Sequence, residues 1–214
     1  MKQPVWDLPV RLFHWLLAAL IAFSWWSVHS DHTSWHIWSG CAILTLLIFR
    51  LLWGFVGSST ARFASFVRGP ASVAAHLRGN WNGIGHTPVG ALSVAALLLA
   101  VSVQVGLGLF AEDEDGIYMG PLAKLVSSDT SDKVRDIHAF WFYVVLGLIV
   151  LHVVAILYYR LFRGQKLTKP MITGRAKLSP GTAPMRPGKW WVAVVCLLIG
   201  LGITQWLIAG APPF

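Results

Sequence analysis

The chain has 214 residues, of which 56% are hydrophobic and only 12% are charged. An ordinary soluble domain is about 25% charged, and a chain of this length cannot hide so much apolar surface in one aqueous core. Composition therefore excludes an ordinary soluble domain and favours a membrane protein. The formal net charge of +8 does not indicate nucleic acid as a partner, because the basic residues are sorted by loop and do not share one surface.

Five apolar segments are each long enough to cross about 30 Å of hydrocarbon as a helix that rises about 1.5 Å per residue. Backbone within lipid must satisfy its own hydrogen bonds, which predicts helices. The first segment is rich in Trp and Phe, and no small-residue cleavage site follows it, so we expect a retained helix and not a signal peptide. In chain order the segments are 10–28, 35–56, 89–110, 136–161 and 190–209.

The charges of the loops predict the orientation of these helices. Segment 57–88 carries three arginines and segment 160–189 carries eight Lys or Arg, and neither contains an acid. Segment 112–136 carries seven acids against three basic residues. The positive-inside rule therefore predicts a cytoplasmic N-terminus, with the acidic segment and the C-terminus on the other side of the membrane. Within segment 57–88, we expect residues 61–78 to form either a short amphipathic stretch at the membrane interface or a partly ordered basic loop.

Four of the eight histidines fall in the predicted membrane helices, where coordinating side chains are rare and indicate function. His138 and His152 are 14 residues apart, which returns them to within about 40° of one helix face and about 21 Å apart along the axis. By depth, His36 at the outer end of the second helix matches His138, and His14 near the inner end of the first matches His152. The other four fall in predicted loops and are interpreted as solvated or interfacial: His29, His32, His76 and His86.

Two pairs of histidines at two depths form the ligand set that two stacked, bis-histidine b-type haems require. Zinc would need three or four ligands at one point, and a proton relay would need more acids than Asp136, the one acid in the apolar segments. The absence of CxxCH excludes covalent c-type haem. We therefore predict two haem irons, with the ligand pairs His36/His138 on the outer side and His14/His152 on the inner side.

Three arginines and one glycine accompany the predicted ligands. Arg50 lies 14 residues after His36, while Arg11 and Arg135 each precede a predicted ligand by three residues. These arginines are candidates to pair with haem propionates, or they are charges that simply flank the membrane. Gly40, one turn from His36, either lets a flat macrocycle approach or serves helix packing.

The stretches that contain these residues resemble the bacterial cytochrome b561 and nickel–iron hydrogenase cytochrome b family. The similar stretches are WDLPVRLFHW at 6–15, RLLWGF at 50–55 and GHTPVGA at 85–91, together with the pair His138 and His152. The resemblance covers 6–174 and implies a four-helix transmembrane bundle at 1–174 that holds two b haems and exchanges electrons with membrane quinone. Residues 175–214, a basic cytoplasmic linker and a fifth helix, depart from the family pattern. We therefore expect an all-α integral membrane protein with one extra C-terminal transmembrane helix.

Three hypotheses for function follow. The first is a cytochrome b that transfers electrons between quinone or quinol and a periplasmic redox protein, such as a c-type cytochrome or a hydrogenase. Its acidic segment 112–115 either steers a basic partner or is an ordinary solvated loop. The second is a self-contained superoxide:quinone oxidoreductase, for which an acidic approach is unfavourable. The third is a haem-free membrane anchor or transporter. The sequence does not place the quinone site.

Overall fold

The computed structural model describes residues 2–66, 69–78, 83–178 and 181–211. Among these residues, five helices are long and apolar enough to cross a membrane, which confirms the expected all-α membrane fold. They are Leu8–His29, Thr33–Val56, Pro88–Gly108, Ser128–Phe162 and Trp190–Ile208. In chain order the elements are β1 (Lys2–Pro4), α1 (Leu8–His29), α2 (Thr33–Val56), α3 (Phe63–Phe66), α4 (Pro70–Leu77), α5 (Pro88–Gly108), a 3-10 turn (Ala123–Leu125), α6 (Ser128–Phe162), α7 (Thr168–Thr173), β2 (Arg175–Lys177) and α8 (Trp190–Ile208).

The start of α1 is fixed by Asp7, which is buried although it carries a carboxylate. Its Oδ1 accepts a hydrogen bond of 2.8 Å from the backbone N–H of Val10, as an N-cap does. Its Oδ2 accepts a second hydrogen bond of 2.9 Å from Nε1 of the fully buried Trp53. Pro9 in the first helical turn needs no hydrogen-bond partner for its nitrogen. Asp7 therefore caps the N-terminus of α1 and links it to Trp53 on α2.

Two segments differ from the sequence-based expectation in their extent. Residues 61–78 contain two short helices, α3 and α4, although 67–68 lie outside the described residues. The fourth membrane helix begins at Ser128, whereas its apolar run begins at Asp136. The reason is that residues 128–135, which are polar except for Val134, continue the same helix, with an ion pair of 3.0 Å between Arg135 and Asp132 along it.

Contacts within the chain define two compact units. Unit 1 comprises Met1–His14, Arg50–Leu97 and Leu148–Cys196, and unit 2 comprises Trp15–Phe49, Leu98–Gly147 and Leu197–Phe214. Unit 1 contains the antiparallel pair β1 and β2, in which Lys2 lies opposite Lys177. Each unit contains residues from both sides of residue 174. The expected division into a four-helix family domain at 1–174 and a C-terminal part at 175–214 therefore stays a prediction.

The fifth membrane helix, α8, packs on α2 within unit 2. The hydroxyl of Thr45 donates a hydrogen bond of 2.9 Å to that of Thr204, and both residues are buried. One turn away, a Cβ on Gly200 would lie 2.9 Å from the backbone oxygen of Thr45. Small residues and a hydroxyl bond across a close helix crossing are typical of specific packing between membrane helices. Within unit 2, α8 therefore makes a close and specific contact with α2.

Candidate functional site

Unit 2 brings together two of the four predicted ligands, His36 and His138. The ring of His36, in the first turns of α2, has its centroid 5.9 Å from that of His138 on α6, and the two rings are nearly perpendicular at 89°. Two imidazoles that bind one metal through bonds of about 2 Å each have ring centroids about 6 Å apart. The two side chains therefore have the separation that two axial ligands of one iron require.

In each of these two histidines, the ring nitrogen Nδ1 lies within hydrogen-bond distance of a backbone carbonyl. Nδ1 of His36 lies 3.0 Å from the backbone oxygen of Ser24 and 3.0 Å from the hydroxyl of the same residue. Nδ1 of His138 lies 2.9 Å from the backbone oxygen of Gln104. A carbonyl oxygen only accepts, so Nδ1 is the protonated nitrogen in both rings. This tautomer leaves Nε2 as the metal-binding atom, and the carbonyls orient both rings.

Helix α5 contributes two residues that sequence reasoning did not single out. The side-chain nitrogen of Gln104 lies 3.1 Å from Nε2 of His138, and its buried Oε1 has no hydrogen-bond partner among the described residues. One turn further, a Cβ on Gly108 would lie 3.0 Å from the ring of His138. The sequence feature that could have indicated these two residues is a lone amide, Gln104, in an apolar helix, followed four residues later and on the same face by Gly108. Together these residues form the surface against which the His138 ring packs.

A cavity of about 770 Å³ adjoins the pair and lies entirely within unit 2. Pockets that hold cofactors have volumes of about 300–1,000 Å³ and largely apolar linings. Small residues at Gly40 and Gly108 widen this cavity, and a Cβ on Gly40 would meet nothing within 4 Å. With the two axial nitrogens and the apolar walls, the residues of unit 2 fit a b-type haem. Other residues that line the cavity include Ile37, Val101, Val105, Phe142 and Leu146.

Unit 1 brings together the other two predicted ligands. The ring centroid of His14 on α1 lies 6.5 Å from that of His152 on α6, with an angle of 51° between the rings. This separation again matches two axial ligands of one metal at about 2 Å each. The residues of unit 1 therefore also fit a bis-histidine group, although ligation itself stays a prediction for all four histidines.

Arg50 is a buried cation in unit 1, with only 2% of its surface exposed. Its guanidinium lies 4.9 Å from the ring centre of Phe63, and Nη1 is buried without a hydrogen-bond partner among the described residues. Asp7 contributes a favourable charge nearby. A buried guanidinium nitrogen without a partner is costly unless an anion reaches it. Arg50 therefore matches the expected propionate partner better than a charge that merely flanks the membrane.

The other expected auxiliary residues have different surroundings. A guanidinium nitrogen of Arg11 donates to the backbone oxygen of Ile172, which fastens α7 to α1. Arg135 lines the cavity of unit 2, but it pairs with Asp132 at 3.0 Å and with Asp136 at 3.6 Å. Arg135 is thus shared between two carboxylates, whereas Arg11 still has a buried Nε without a hydrogen-bond partner among the described residues.

His86, which the sequence suggested was solvated or interfacial, lies between aromatic rings in unit 1. Its ring centroid is 4.5 Å from Trp6 and 4.6 Å from Phe66, and its buried Nδ1 has no hydrogen-bond partner among the described residues. Burial, assisted by the charge of Arg50, lowers the pKa of His86 to about 3, so the imidazole is neutral. Gly85 beside it has a φ of +81°, which only glycine adopts easily. The side chain of His76 lies outside the described residues.

Comparison with known families identifies one match. The model of the prokaryotic cytochrome b561 family matches residues 5–174 of the 214. No curated protein and no solved structure matches the chain. Membership of that family implies b-type haem and electron transfer across a membrane. The match begins one residue before Trp6 and ends at Gly174, after α7.

Proposed function

Because the chain belongs to the prokaryotic cytochrome b561 family, we propose that it transfers electrons across the bacterial inner membrane through two b-type haems. His36 and His138 bind one haem, and His14 and His152 bind the other. The observation that carries this proposal is the pair of ring separations, 5.9 Å in unit 2 and 6.5 Å in unit 1. Bound haem supplies one-electron redox chemistry at a potential that the protein tunes.

The chain's own groups hold and orient the haems. The carbonyls of Ser24 and Gln104 keep Nδ1 of the outer pair protonated, so that Nε2 faces the iron. Arg50 pairs with a propionate in unit 1, since its buried Nη1 has no other partner among the described residues. Arg11 joins such a pair through its buried Nε, which has no hydrogen-bond partner among the described residues, whereas Arg135 does so only by giving up its carboxylates. Gly40 gives the macrocycle room to approach α2.

Membrane quinone or quinol exchanges electrons with the haem of unit 1. A quinone site needs an apolar slot with one or two hydrogen-bond partners near a haem edge. His86 offers a neutral imidazole between Trp6 and Phe66, and its Nδ1 is buried without a partner among the described residues. His86 belongs to unit 1, as do His14 and His152. A quinone bound at His86 is therefore assigned to the same unit as the inner haem.

A periplasmic redox protein, such as a c-type cytochrome or a hydrogenase, exchanges electrons on the other side. The N-terminus then lies in the cytoplasm and the C-terminus in the periplasm. Segment 112–115 is ordered, because Glu112 accepts from Ser128 at 2.8 Å and Asp113 accepts from the N–H of Tyr118 at 3.0 Å. These bonds leave Glu114 and Asp115 exposed to a basic partner. Such charges accelerate encounter with a partner of opposite sign.

Electron transfer across liposomes tests this function. Liposomes that contain the haem-loaded protein and enclose ferricyanide are given a quinol on the outside, and the internal ferricyanide is followed optically. We expect reduction with the wild-type chain and none above background with His36→Leu or His14→Leu, since each variant interrupts one haem. His32→Leu is the matched control, because His32 contacts only Trp26 and Trp35 among the ring pairs of the described residues. Reduction by both ligand variants at the wild-type rate would refute transfer through two haems.

The same preparation separates the cytochrome from a self-contained superoxide:quinone oxidoreductase. A cytochrome that needs a partner does not accelerate superoxide loss in the presence of quinone. Accelerated loss by the purified chain alone would instead establish the second function. The exposed acids Glu114 and Asp115 favour the partner-dependent function, because superoxide is an anion.

A further inference from the structure

Beyond the end of α6, the chain folds back and encloses a surface cavity. The N–H groups of Arg163 and Gln165 both donate to the backbone oxygen of Tyr159, and Gly164 between them has a φ of +63°. This turn returns the chain into α7. A cavity of about 280 Å³ lies between the end of α6 and α7, within unit 1. The described residues that line it are Arg160, Lys166, Thr168, Lys169, Ile172 and Thr173.

The wall of this cavity that α7 forms is held in place. Arg11 donates to the backbone oxygen of Ile172, and the hydroxyl of Thr173 donates to that of Lys169 at 3.0 Å. Gly174, with a φ of +77°, ends the helix through a hydrogen bond of 2.8 Å to the backbone oxygen of Pro170. The backbone that carries Lys169 is therefore held in place, while Arg160 lies near the end of α6 and Lys166 lies in the connection between the two helices.

The cavity has positive charge without compensation. Arg160, Lys166 and Lys169 make no salt bridge with any described residue. No acid occurs anywhere in the sequence between 160 and 189. Three cations around one small cavity raise the local concentration of anions. A phosphate group supplies several acceptor oxygens for such a set of donors.

An exposed apolar stripe on α6 leads into the same cavity. Val153, Leu157 and Arg160 are spaced i, i+4 and i+7, which places them along one face of the helix. Val153 is 48% exposed and Leu157 is 47% exposed. Leu161, 72% exposed, lies beside the last turn of this stripe. A ligand that combines an anionic group with a long apolar tail would therefore contact both surfaces at once.

We propose that this cavity binds the phosphate headgroup of an anionic phospholipid, whose acyl chains lie along the stripe of Val153 and Leu157. Basic pockets at the end of membrane helices bind such headgroups through the same combination of forces. A free phosphate ion shares the headgroup chemistry but makes no use of the stripe. This site is separate from both histidine pairs and does not depend on the proposed function.

Native mass spectrometry of the delipidated full chain tests the proposal. The protein is titrated with phosphatidylglycerol, with phosphatidylcholine of the same acyl chains, and with inorganic phosphate. We expect the wild-type chain to bind phosphatidylglycerol at least about tenfold more tightly than phosphatidylcholine. Lys166→Gln/Lys169→Gln should lose about tenfold or more in affinity for phosphatidylglycerol, since it removes two of the three positive charges around the cavity.

A matched control removes two charges of the same unit from outside the cavity. Lys2→Gln/Lys177→Gln alters two exposed lysines on β1 and β2 and should change the affinity by less than about twofold. Equal losses of affinity for phosphatidylglycerol in the two double variants would show that the lipid is attracted by the overall positive charge, and this result would overturn the site. Equal binding of the two lipids, or binding of inorganic phosphate as tight as that of phosphatidylglycerol, would overturn the lipid assignment. Unchanged haem content shows that the variants are folded.

Discussion

Gln104 contacts both ring nitrogens of His138. Its backbone oxygen lies 2.9 Å from Nδ1, and its side-chain nitrogen lies 3.1 Å from Nε2. The first contact fixes the tautomer that a metal ligand needs, and the second places an amide next to the metal-binding atom. An iron bound at Nε2 would replace this contact, and Gln104, which lines the same cavity, would then be next to the haem.

Replacement of Gln104 should therefore change the outer haem alone. Gln104→Leu removes a buried carbonyl dipole that favours the more positive ferric iron, so the midpoint potential of this haem should rise by tens of millivolts. The carbonyl that holds Nδ1 remains, so both haems should be retained. A redox titration that resolves the two haems measures the shift. Ser102→Ala, whose hydroxyl contacts only its own helix, is the control, and an unchanged potential in Gln104→Leu would contradict this role.

Gly108 should be required for the outer haem because of its distance from His138. A Cβ there would lie 3.0 Å from the ring, so Gly108→Ala should displace His138 and weaken binding of this haem by about 10–100-fold. Haem titration of the depleted protein measures the affinity. Gly106→Ala, on the same helix with nothing within 4 Å of its Cβ, should leave both affinities unchanged. Equal behaviour of the two alanine variants would show that the close approach at Gly108 has no consequence.

The membrane helices could be predicted from sequence, because the length of their apolar runs follows from the thickness of the bilayer. The family could be predicted because stretches such as 6–15 and 85–91 resemble it. His36 and His138 could also be paired, since depth along a helix follows from its regular rise. The partners of those histidines could not. The carbonyls of Ser24 and Gln104 are backbone atoms, and every residue offers one, so no pattern of side chains distinguishes them.

Loop residues were harder to interpret for a different reason. His86 follows a glycine in a polar stretch, which is typical of solvated histidine. Its burial depends on Trp6 and Phe66, which are distant in sequence. Arg11 is a related case, because its spacing from His14 suggested a propionate pair, which stays a prediction, but did not reveal that its guanidinium also contacts the carbonyl of Ile172. Contacts between segments far apart in the chain decide both positions, and one sequence does not reveal them.

His86 should affect exchange with quinone and leave the haems in place. His86→Leu removes the hydrogen-bond partner of the proposed quinone site, so reduction of the inner haem by quinol should slow by about tenfold or more. Stopped-flow reduction with a quinol measures this rate, and the visible spectrum reports haem content. Loss of a haem would instead show that His86 supports the haem site. An unchanged rate with full haem content would place the quinone elsewhere.

The acidic segment 112–115 should determine how salt affects electron transfer to a basic c-type cytochrome. Glu114→Gln/Asp115→Asn should lower the second-order rate several-fold at low ionic strength, because it removes two exposed charges that attract the partner. The wild-type rate should fall as salt rises and converge with that of the variant, since charges more than about 8–10 Å apart are screened at 0.1–0.15 M salt. A wild-type rate that does not respond to salt would identify the segment as an ordinary solvated loop.

Haem stoichiometry is the most direct measure of the central claim that the two histidine pairs hold two haems. Pyridine haemochrome spectroscopy on the purified chain, expressed with ample haem, should give two b-type haems per chain. His138→Leu and His152→Leu should each give one, and His32→Leu should give two. One haem in the wild-type chain would mean that one pair does not bind iron, and none would contradict the proposed function altogether.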